Sequence, residues 1–203
     1  MAHPWRSERL IYRQSEKDDE AFHQSLGADA DAQAQLSTFI FVPGGGTKNA
    51  TGAHEYLSEK SLMGAIICLP APATSDAAPV TGEAAVASKP IPIGYIHLTP
   101  SDPRQAHHRH SMIGLILAEP HRSKGYGSEA IKWALRWGFM HAGLHRIEIA
   151  AYDFNDRAIA LYRRLGFVDE SVKREIYWVN GKFRDMTELS MLEHEWRKLY
   201  GGE

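Results

Sequence analysis

The sequence is poor in cysteine and in long apolar segments. One cysteine, Cys68, occurs in 203 residues, so no disulfide can form within the chain, and its place inside an apolar run predicts a buried thiol. No apolar run approaches the roughly 18 residues of a membrane-spanning helix. The first residues also lack the apolar core of a signal peptide. These absences favour a cytosolic protein that does not contact a membrane.

A strong excess of charge of one sign is also absent. The chain has 23 Lys and Arg residues and 25 Asp and Glu residues, a formal net charge of -2. This balance argues against bulk electrostatic binding to nucleic acid or an anionic membrane, while a local basic patch is compatible with it. The length predicts one domain over residues 1–203.

Strand-like and helical patterns alternate along the chain. Asn180-Gly181 between two β-rich runs predicts a hairpin. The predicted strands are residues 9–13, 62–69, 93–98, 112–118, 146–151, 168–179 and 183–191. These elements predict an α/β fold, a mixed sheet with helices on both faces. The helical pattern at 128–142 should join strands four and five as parallel neighbours.

Two segments lack a clear pattern. Residues 28–60 contain possible short helices at 28–35 and 53–60. They also contain glycines 44–46, which lack the Gly-Lys-Ser/Thr ending of a nucleotide loop. Residues 70–90 are rich in alanine, proline, serine and threonine without apolar periodicity, so we expect a flexible, solvated insertion between two strands.

A basic, glycine-containing turn follows the fourth predicted strand. Residues 122–127 read Arg-Ser-Lys-Gly-Tyr-Gly and lead directly into a helical pattern. Such a turn frees backbone N–H groups, and the helix N-terminus adds partial positive charge. The side chains of Arg122 and Lys124 can add charge-assisted bonds. Glycine at 125 and 127 lets a ligand approach the backbone closely. The turn therefore predicts a phosphate site.

A second segment, residues 155–167, follows the fifth predicted strand. The carboxyl ends of neighbouring parallel strands lie at the same edge of a sheet, which is where ligands bind in such folds. We therefore expect Asn155 and the turn at 122–127 to line one cleft, although about 30 residues separate them in the chain.

Together the two segments resemble the GNAT acetyltransferase superfamily. Residues 122–127 match the signature Arg/Gln-x-x-Gly-x-Gly/Ala, and residues 155–167 match Asn-x-x-Ala-x-x-x-Tyr-x-x-x-Gly-Phe. The opening Ser7-Glu8-Arg9-Leu10 is similar to the Thr-Glu-Arg-Leu start of the branch that contains the ribosomal-protein N-terminal acetyltransferases. The resemblance is dense over residues 110–191 and thin before them.

The resemblance implies a mostly antiparallel GNAT-type sheet in which parallel strands four and five splay apart. It also implies acetyl-CoA as donor, a primary amine (a protein N-terminus or a small amine) as acceptor, and direct transfer in a ternary complex. Carried over by position, Asn155 would contact the cofactor arm and Tyr162 would protonate the departing thiolate. The arm would pair with the backbone of Ile116, Leu117 and Ala118. The pyrophosphate would be bound by Arg122, Ser123, Lys124, Gly125, Tyr126, Gly127 and Ser128.

Each assignment has a purely structural alternative. Tyr162 could pack beneath its helix, Asn155 could serve only as a helix N-cap, and Arg122 and Lys124 could be solvated surface charges. The whole chain could also be a non-catalytic acyl-CoA-binding or protein-interaction module, because a fold does not fix a function. A monomer and a homodimer are both compatible with the sequence.

The general base has no clear candidate. Glu119, at the end of strand four, could accept the amine proton, and His97 and His110 have a suitable titration range. His121 is expected to face solvent. The loop histidines 107, 108 and 110 lack a second ligand group at zinc spacing, so no metal is expected. A polyamine acceptor would require an acidic cleft, and the acidic residues 16–20 are more simply a helix start.

Overall fold

A computed structural model describes residues 3–36, 47–71 and 89–201. Glycines 44–46 and most of the predicted insertion at 70–90 lie outside the described residues. The strands are β1 (Ile11–Arg13), β2 (Met63–Leu69), β3 (Ile91–Leu98), β4 (His110–Leu117), β5 (Arg146–Tyr152), β6 (Val168–Val179) and β7 (Lys182–Leu192). The helices are α1 (Glu20–Ala28), α2 (Ala30–Leu36), α3 (Thr47–Glu55), α4 (Tyr126–Met140), α5 (Asp156–Arg164) and α6 (Glu193–Tyr200).

The strands form one sheet in the order β1-β2-β3-β4-β5-β7-β6. Every neighbouring pair is antiparallel except β4 and β5, which confirms the predicted mixed, mostly antiparallel sheet. The edge strand β1 is shorter than the predicted run because Arg9 leaves the sheet to contact α4. Cys68 in β2 is fully buried, and burial raises the pKa of its thiol to about 11.

The parallel pair β4 and β5 diverges soon after it begins. The two strands pair only at three positions, from His110 opposite Arg146 to Met112 opposite Glu148. Both strands continue beyond that point, β4 to Leu117 and β5 to Tyr152. A gap therefore opens inside the sheet toward the strand ends that carry the two predicted motifs.

One face of the sheet packs against α4 and α6. Helix α4 buries apolar residues at helical spacing, including Ile131 and Leu135, which are fully buried. A side-chain carbon at Gly138 would lie only 2.6 Å from Ile147 Cδ1, so glycine lets α4 approach β5 closely. Each such buried side chain contributes about 1.5–3 kcal/mol, and this face forms one continuous core that extends to Trp196 of α6.

The other face is covered by α1, α2 and α3 and is more polar. Its apolar contacts form two small clusters around Ile116 and Ile66. Buried Ser15 Oγ lies 2.9 Å from His23 Nε2 and 3.0 Å from His54 Nδ1, which links α1 to α3.

Helix α3 begins earlier than the helix predicted at 53–60. It starts at Thr47, and residues Tyr56–Lys60 continue it as a π-helical turn. Only Ala50 of α3 is buried, so its first turns present almost no apolar periodicity to sequence analysis. No helix among the residues that the structure describes is long and apolar enough to cross a membrane.

Candidate active site

A cleft of about 1290 Å³ opens where β4 and β5 diverge. Its walls come from the end of β4, the turn after it, and parts of α2, α4, α5 and α6. The predicted site residues that line it are Ile116, Leu117, Glu119, Arg122, Ser123, Gly125, Gly127, Ser128, Asn155 and Tyr162. Ala118, Lys124 and Tyr126 belong to the same segments but do not line the cleft. The fold thus brings the two distant motifs together.

The turn before α4 has the backbone geometry of an anion site. Ser123 and Gly125 both have positive φ, 68° and 84°, and Gly125 is the N-cap of α4. No side chain among the described residues caps this helix start, so its first N–H groups have no side-chain acceptor. A side-chain carbon at Gly127 would lie 3.5 Å from Leu115, which is ordinary contact. Protein packing therefore does not demand glycine at 127, whereas close approach of a ligand would.

The side chain of Arg122 joins the end of β4 to the start of α2. Its Nε donates to Leu117 O at 2.9 Å, and its terminal nitrogen pairs with the Asp29 carboxylate. Asp29 in turn accepts a bond from Ala32 N at 3.0 Å at the start of α2. The Arg122 N–H donates to Glu119 O at 3.1 Å within the turn. Arg122 thus fixes the shape of the turn with both its backbone and its side chain.

The N-terminal segment holds the same turn from its other side. Arg9 N and Nε donate to the two carboxylate oxygens of Glu129 at 2.7 and 2.8 Å, and Ser7 Oγ donates to Glu129 Oε1 at 2.6 Å. The Arg9 guanidinium also donates to Lys124 O at 3.1 Å and lies 4.8 Å from the centre of the Tyr126 ring. Burial raises the pKa of Glu129, but the bonds from Ser7 and Arg9 outweigh burial and hold it below its usual value.

The backbone of β4 turns alternate polar groups toward the gap. Ala118 N–H donates to Ile93 O at 2.9 Å, so residues 118 and 116 direct their backbone groups toward β3. By the same alternation, Leu115 and Leu117 direct theirs toward β5. The Leu117 carbonyl receives the Arg122 bond, which confirms the direction. Of the strand residues that sequence analysis assigned to the arm, Leu117 therefore has the suitable backbone orientation.

Asn155 and Tyr162 stand on the opposite wall, at the two ends of α5. Asn155 Oδ1 accepts a bond from Ala158 N at 3.2 Å, so the residue caps the helix while lining the cleft. Tyr162 is half-buried, and its ring centre lies 6.2 Å from that of Phe167. Burial raises the pKa of Tyr162 to about 12, so the hydroxyl is protonated near neutral pH.

The candidate bases lie in different places. Glu119 is exposed in the turn after β4, shortly before the glycine turn at 122–127. His97 of β3 packs its ring over Gly114 of β4, nearer the point where β4 and β5 diverge, and its Nδ1 is buried without a partner among the described residues. Burial lowers the pKa of His97 to about 4.

The positions of the remaining histidines do not indicate a catalytic role. His110 is the first residue of β4, at the paired end of the parallel strands. His121 is partly covered rather than freely exposed, and burial and Lys124 lower its pKa. The ring centres of His107 and His108 lie 3.9 Å apart, but within the described ranges no group of three His, Cys, Asp or Glu residues is placed to hold a metal ion.

Sequence analysis missed the far end of the cleft. Lys132 lies one helical turn after Ser128, and Arg157 and Arg164 lie seven positions apart on α5. The end of α6 closes this region with Leu199 and Tyr200. Helical spacing from Ser128 could have indicated Lys132, whereas the position of α6 is set by tertiary packing alone.

The sheet topology, the internal gap and the uncapped glycine turn define a class of α/β proteins that bind phosphate-bearing ligands at a splayed pair of parallel strands. A family model described as an acetyltransferase (GNAT) domain matches residues 9–168. The chain therefore belongs to the GNAT acetyltransferase family.

Several known proteins are similar to this chain. Spermidine N(1)-acetyltransferase of Vibrio cholerae is 30% identical over 89 residues, which are 44% of this chain and 51% of that protein. The putative ribosomal N-acetyltransferase YdaF of Bacillus subtilis is 31% identical over 88 residues, 43% of this chain and 48% of that protein. The match thus spans about half the length of these relatives.

Solved structures share the fold over nearly the whole chain. The crystal structure of spermidine N-acetyltransferase from Vibrio cholerae in complex with CoA and spermine has a TM-score of 0.72 at 19% identity, covering 94% of this chain and 99% of that one. The GNAT-family acetyltransferase from Bacillus anthracis has a TM-score of 0.71 at 19% identity, covering 93% and 98%. At such identities the likeness establishes the fold alone.

Proposed function

We propose that this protein transfers the acetyl group of acetyl-CoA directly to a primary amine, either a small amine or a protein N-terminus. The main support is that three features lie at one cleft: the uncapped glycine turn, the gap between β4 and β5, and Tyr162. The family membership supports the reaction class.

The donor's pyrophosphate would bind the N–H groups at the start of α4, where positive helix charge and the absence of a side-chain cap favour an anion. Backbone groups of Leu115 and Leu117 would hold the arm in the gap as a neighbouring strand would. A Leu117 or Leu115 N–H could also stabilise the oxyanion that forms when the amine attacks. Most of the rate should come from holding the amine and the thioester in the right orientation.

Tyr162 would donate a proton to the departing thiolate. A thiol with a pKa near about 8.5 leaves more easily when a hydroxyl donates to the developing charge. The raised pKa of Tyr162 keeps that hydroxyl protonated. Direct transfer also fits the position of Cys68, whose buried thiol in β2 has no access to the cleft as a nucleophile. A lone, unpaired cysteine agrees with a reducing cytosolic location.

Glu119 is our first candidate for the base, with His97 as the competitor. Glu119 lies at the loop end of the cleft, whereas His97 lies beside Gly114, toward the point where the strands meet. Glu119→Gln and His97→Gln should be compared in rate against pH. The variant that flattens the acidic limb identifies the base.

The acceptor class rests on the relatives and on the start of the chain. The similar proteins include spermidine acetyltransferases and a putative ribosomal N-acetyltransferase. The Ser7–Leu10 resemblance supports peptide N-termini or small amines as acceptors. Asp19, the most buried acid of the 16–20 cluster, pairs with Arg13 at 2.6 Å. Because Arg13 neutralises the charge of Asp19, fewer acids of this cluster can attract a polyamine.

The test is thiol release from acetyl-CoA with a panel of spermidine, small monoamines and peptides with free N-termini. Initial-rate lines that intersect would support a ternary complex, and parallel lines would contradict direct transfer. Absence of acetyl-CoA binding would refute the proposal. Tight binding without turnover on any amine would instead favour the non-catalytic module.

Tyr162→Phe provides the residue-level test. We expect kcat to fall at least about 100-fold, with little change in the Kd of acetyl-CoA, because only the proton donor is removed. Tyr177→Phe, in the hairpin strand β6 outside the cleft, is the matched control and should keep full activity. Equal losses of kcat and affinity in Tyr162→Phe would remove Tyr162 from the acid role.

A further inference from the structure

A second cavity lies at the β1 edge of the sheet, apart from the cleft between β4 and β5. It has a volume of about 520 Å³ and shares no lining residue with that cleft. Trp5, Trp133 and Trp137 line it, together with the first residues of β2. Ligand sites commonly measure about 300–1,000 Å³ and combine aromatic side chains with a few polar groups. This cavity therefore has the size and lining of a binding site.

The cavity lies where β1 ends before β2 does. The last pair of this ladder is Arg13 opposite Ile66, so no strand that the structure describes lies beside residues 63–65 of β2 at this edge. Beyond Arg13 the chain turns away, and Ser15 is buried with its Oγ 2.9 Å from His23 Nε2 in α1. The cavity thus occupies the place that a longer β1 would fill.

The backbone of Gly64 directs its polar groups toward this open edge. Tyr12 N–H donates to Trp5 O, on the side away from β2, so the neighbouring Arg13 directs its backbone groups toward Ile66. Gly64 lies two residues before Ile66 and therefore directs its N–H and C=O the same way. Among the described residues no backbone group bonds to it on this side, and it is only half-buried. Gly64 thus offers one unused donor and one unused acceptor.

One wall of the cavity is apolar and rigid. Trp133 and Trp137, one turn apart on α4, lie on the same face of the sheet as Ala65 and line the cavity with it. The Trp133 ring stacks on that of Tyr12 with centres 3.8 Å apart, and its Nε1 donates to Pro4 O at 2.9 Å. This wall is therefore already in position to bury an apolar side chain.

The opposite wall is crowded and polar. A side-chain carbon at Gly64 would overlap the backbone of Leu57, so this side of the edge favours a small group. The hydroxyl-bearing residues Ser58 and Ser61 also line the cavity here. The two walls therefore favour different side chains on alternate positions of an extended chain.

The charge of the cavity is balanced within the protein. Of the described residues that line it, Arg13 alone carries a charge, and its guanidinium donates to the two Asp19 oxygens at 2.6 and 2.7 Å. An ionic ligand would lose its hydration here without gaining a partner of opposite charge. The cavity therefore suits a neutral ligand that combines a hydrogen-bonding backbone with apolar groups.

We propose that this cavity binds a short, neutral peptide segment that adds to β2 as an extra strand in line with β1. The middle residue of the segment exchanges backbone hydrogen bonds with Gly64, as in other complexes formed by strand addition. Its side chain lies on the Leu57 side and is small, whereas the two flanking side chains lie against Trp133 and Trp137 and are apolar. The site recognises the pattern apolar–small–apolar, and this inference does not depend on the proposed function.

The experiment titrates the peptide acetyl-Thr-Val-Ser-Val-Thr-amide into isotope-labelled protein and follows backbone amides by NMR. We expect the Gly64 amide to shift and to become protected from hydrogen exchange as the peptide binds. N-methylation of the central serine removes the N–H that donates to Gly64 O and should raise the Kd at least about tenfold. N-methylation of the second valine, whose N–H points away from β2, is the matched control and should change the Kd by less than about twofold.

A variant tests the aromatic wall. Trp137→Ala removes a half-buried ring from the cavity and should raise the Kd of the peptide at least about tenfold, because apolar contact is lost. Trp178→Ala, at an exposed ring of the hairpin, is the control and should bind as the unmodified protein does.

Three outcomes would overturn the inference. The first is the absence of peptide binding to the folded protein. The second is equal binding of the parent and the centrally N-methylated peptide, which would assign the cavity to a small apolar ligand held by the rings alone. The third is a Gly64 shift that grows with protein concentration without peptide, which would assign this edge to a second copy of the chain.

Discussion

The two faces of the sheet differ in what they bury. The face under α4 and α6 forms one continuous apolar core. The face under α1, α2 and α3 divides its apolar contacts into two small clusters and also buries Ser15, His23 and Asp19. Apolar packing is insensitive to pH, whereas buried imidazoles are not. The first face should therefore supply most of the pH-independent stability, and the second should make stability depend on pH.

The largest expected effect is a loss of stability from a substitution in the apolar face. Leu135→Ala removes a fully buried side chain of α4 and should lower the free energy of unfolding by about 2–5 kcal/mol. Urea unfolding measures the change. The loss should be the same at pH 7 and pH 5, because no titrating group is removed. A loss that varies with pH would contradict the division between the faces.

A smaller effect comes from the polar face. The folded pKa of His97, about 4, lies below the usual 6.5, so the unfolded chain binds more protons between these values. Stability from this residue is complete above pH 6.5 and is lost as pH falls toward 4. Lowering the pH from 7 to 5 should cost about 2 kcal/mol through His97 alone.

The test of this effect is the His97→Phe variant. Its free energy of unfolding should fall less between pH 7 and pH 5 than that of the unmodified protein. Carboxylates titrate equally in both proteins, so the difference isolates the imidazole. Identical pH slopes would show that His97 is solvated or partnered in solution.

The smallest expected effect concerns the candidate active site and not the stability of either face. Arg9→Ala removes the contacts to Glu129 and Lys124 and should raise the KM for acetyl-CoA about fivefold through a looser turn, with kcat at saturation unchanged. Glu8→Ala, at an exposed neighbouring residue, is the control. A fall in kcat at saturating acetyl-CoA would indicate that Arg9 acts on the chemical step as well.

The cofactor-side motifs could be predicted because local rules govern them. The turn at 122–127 requires particular backbone angles and a helix start, and the strand–turn–helix order places it at one edge of the sheet. The hairpin at Asn180-Gly181 follows from turn chemistry in the same way. Such features depend on residues that are adjacent in the sequence.

Other features depend on contacts between distant residues. The link from Arg122 to Asp29 spans 93 positions, and the link from Arg9 to Glu129 spans 120. The start of α3 has little apolar signal, and α6 is held at the cleft by contacts with distant residues, such as that of Leu199 with Gly166. The burial of His97 likewise depends on Gly114 in another strand. Local sequence patterns do not indicate which of these distant residues contact each other.

The early divergence of β4 from β5 has a further consequence. A strand edge with unpaired amides normally invites another chain to pair with it, which is a route to aggregation. Here that edge lies in the middle of the sheet rather than at its margin, and it lines the cleft together with α4 and α5. Leu115 and Leu117 amide hydrogens should therefore exchange rapidly with solvent in the free protein, despite their central position, and slowly once a ligand fills the gap.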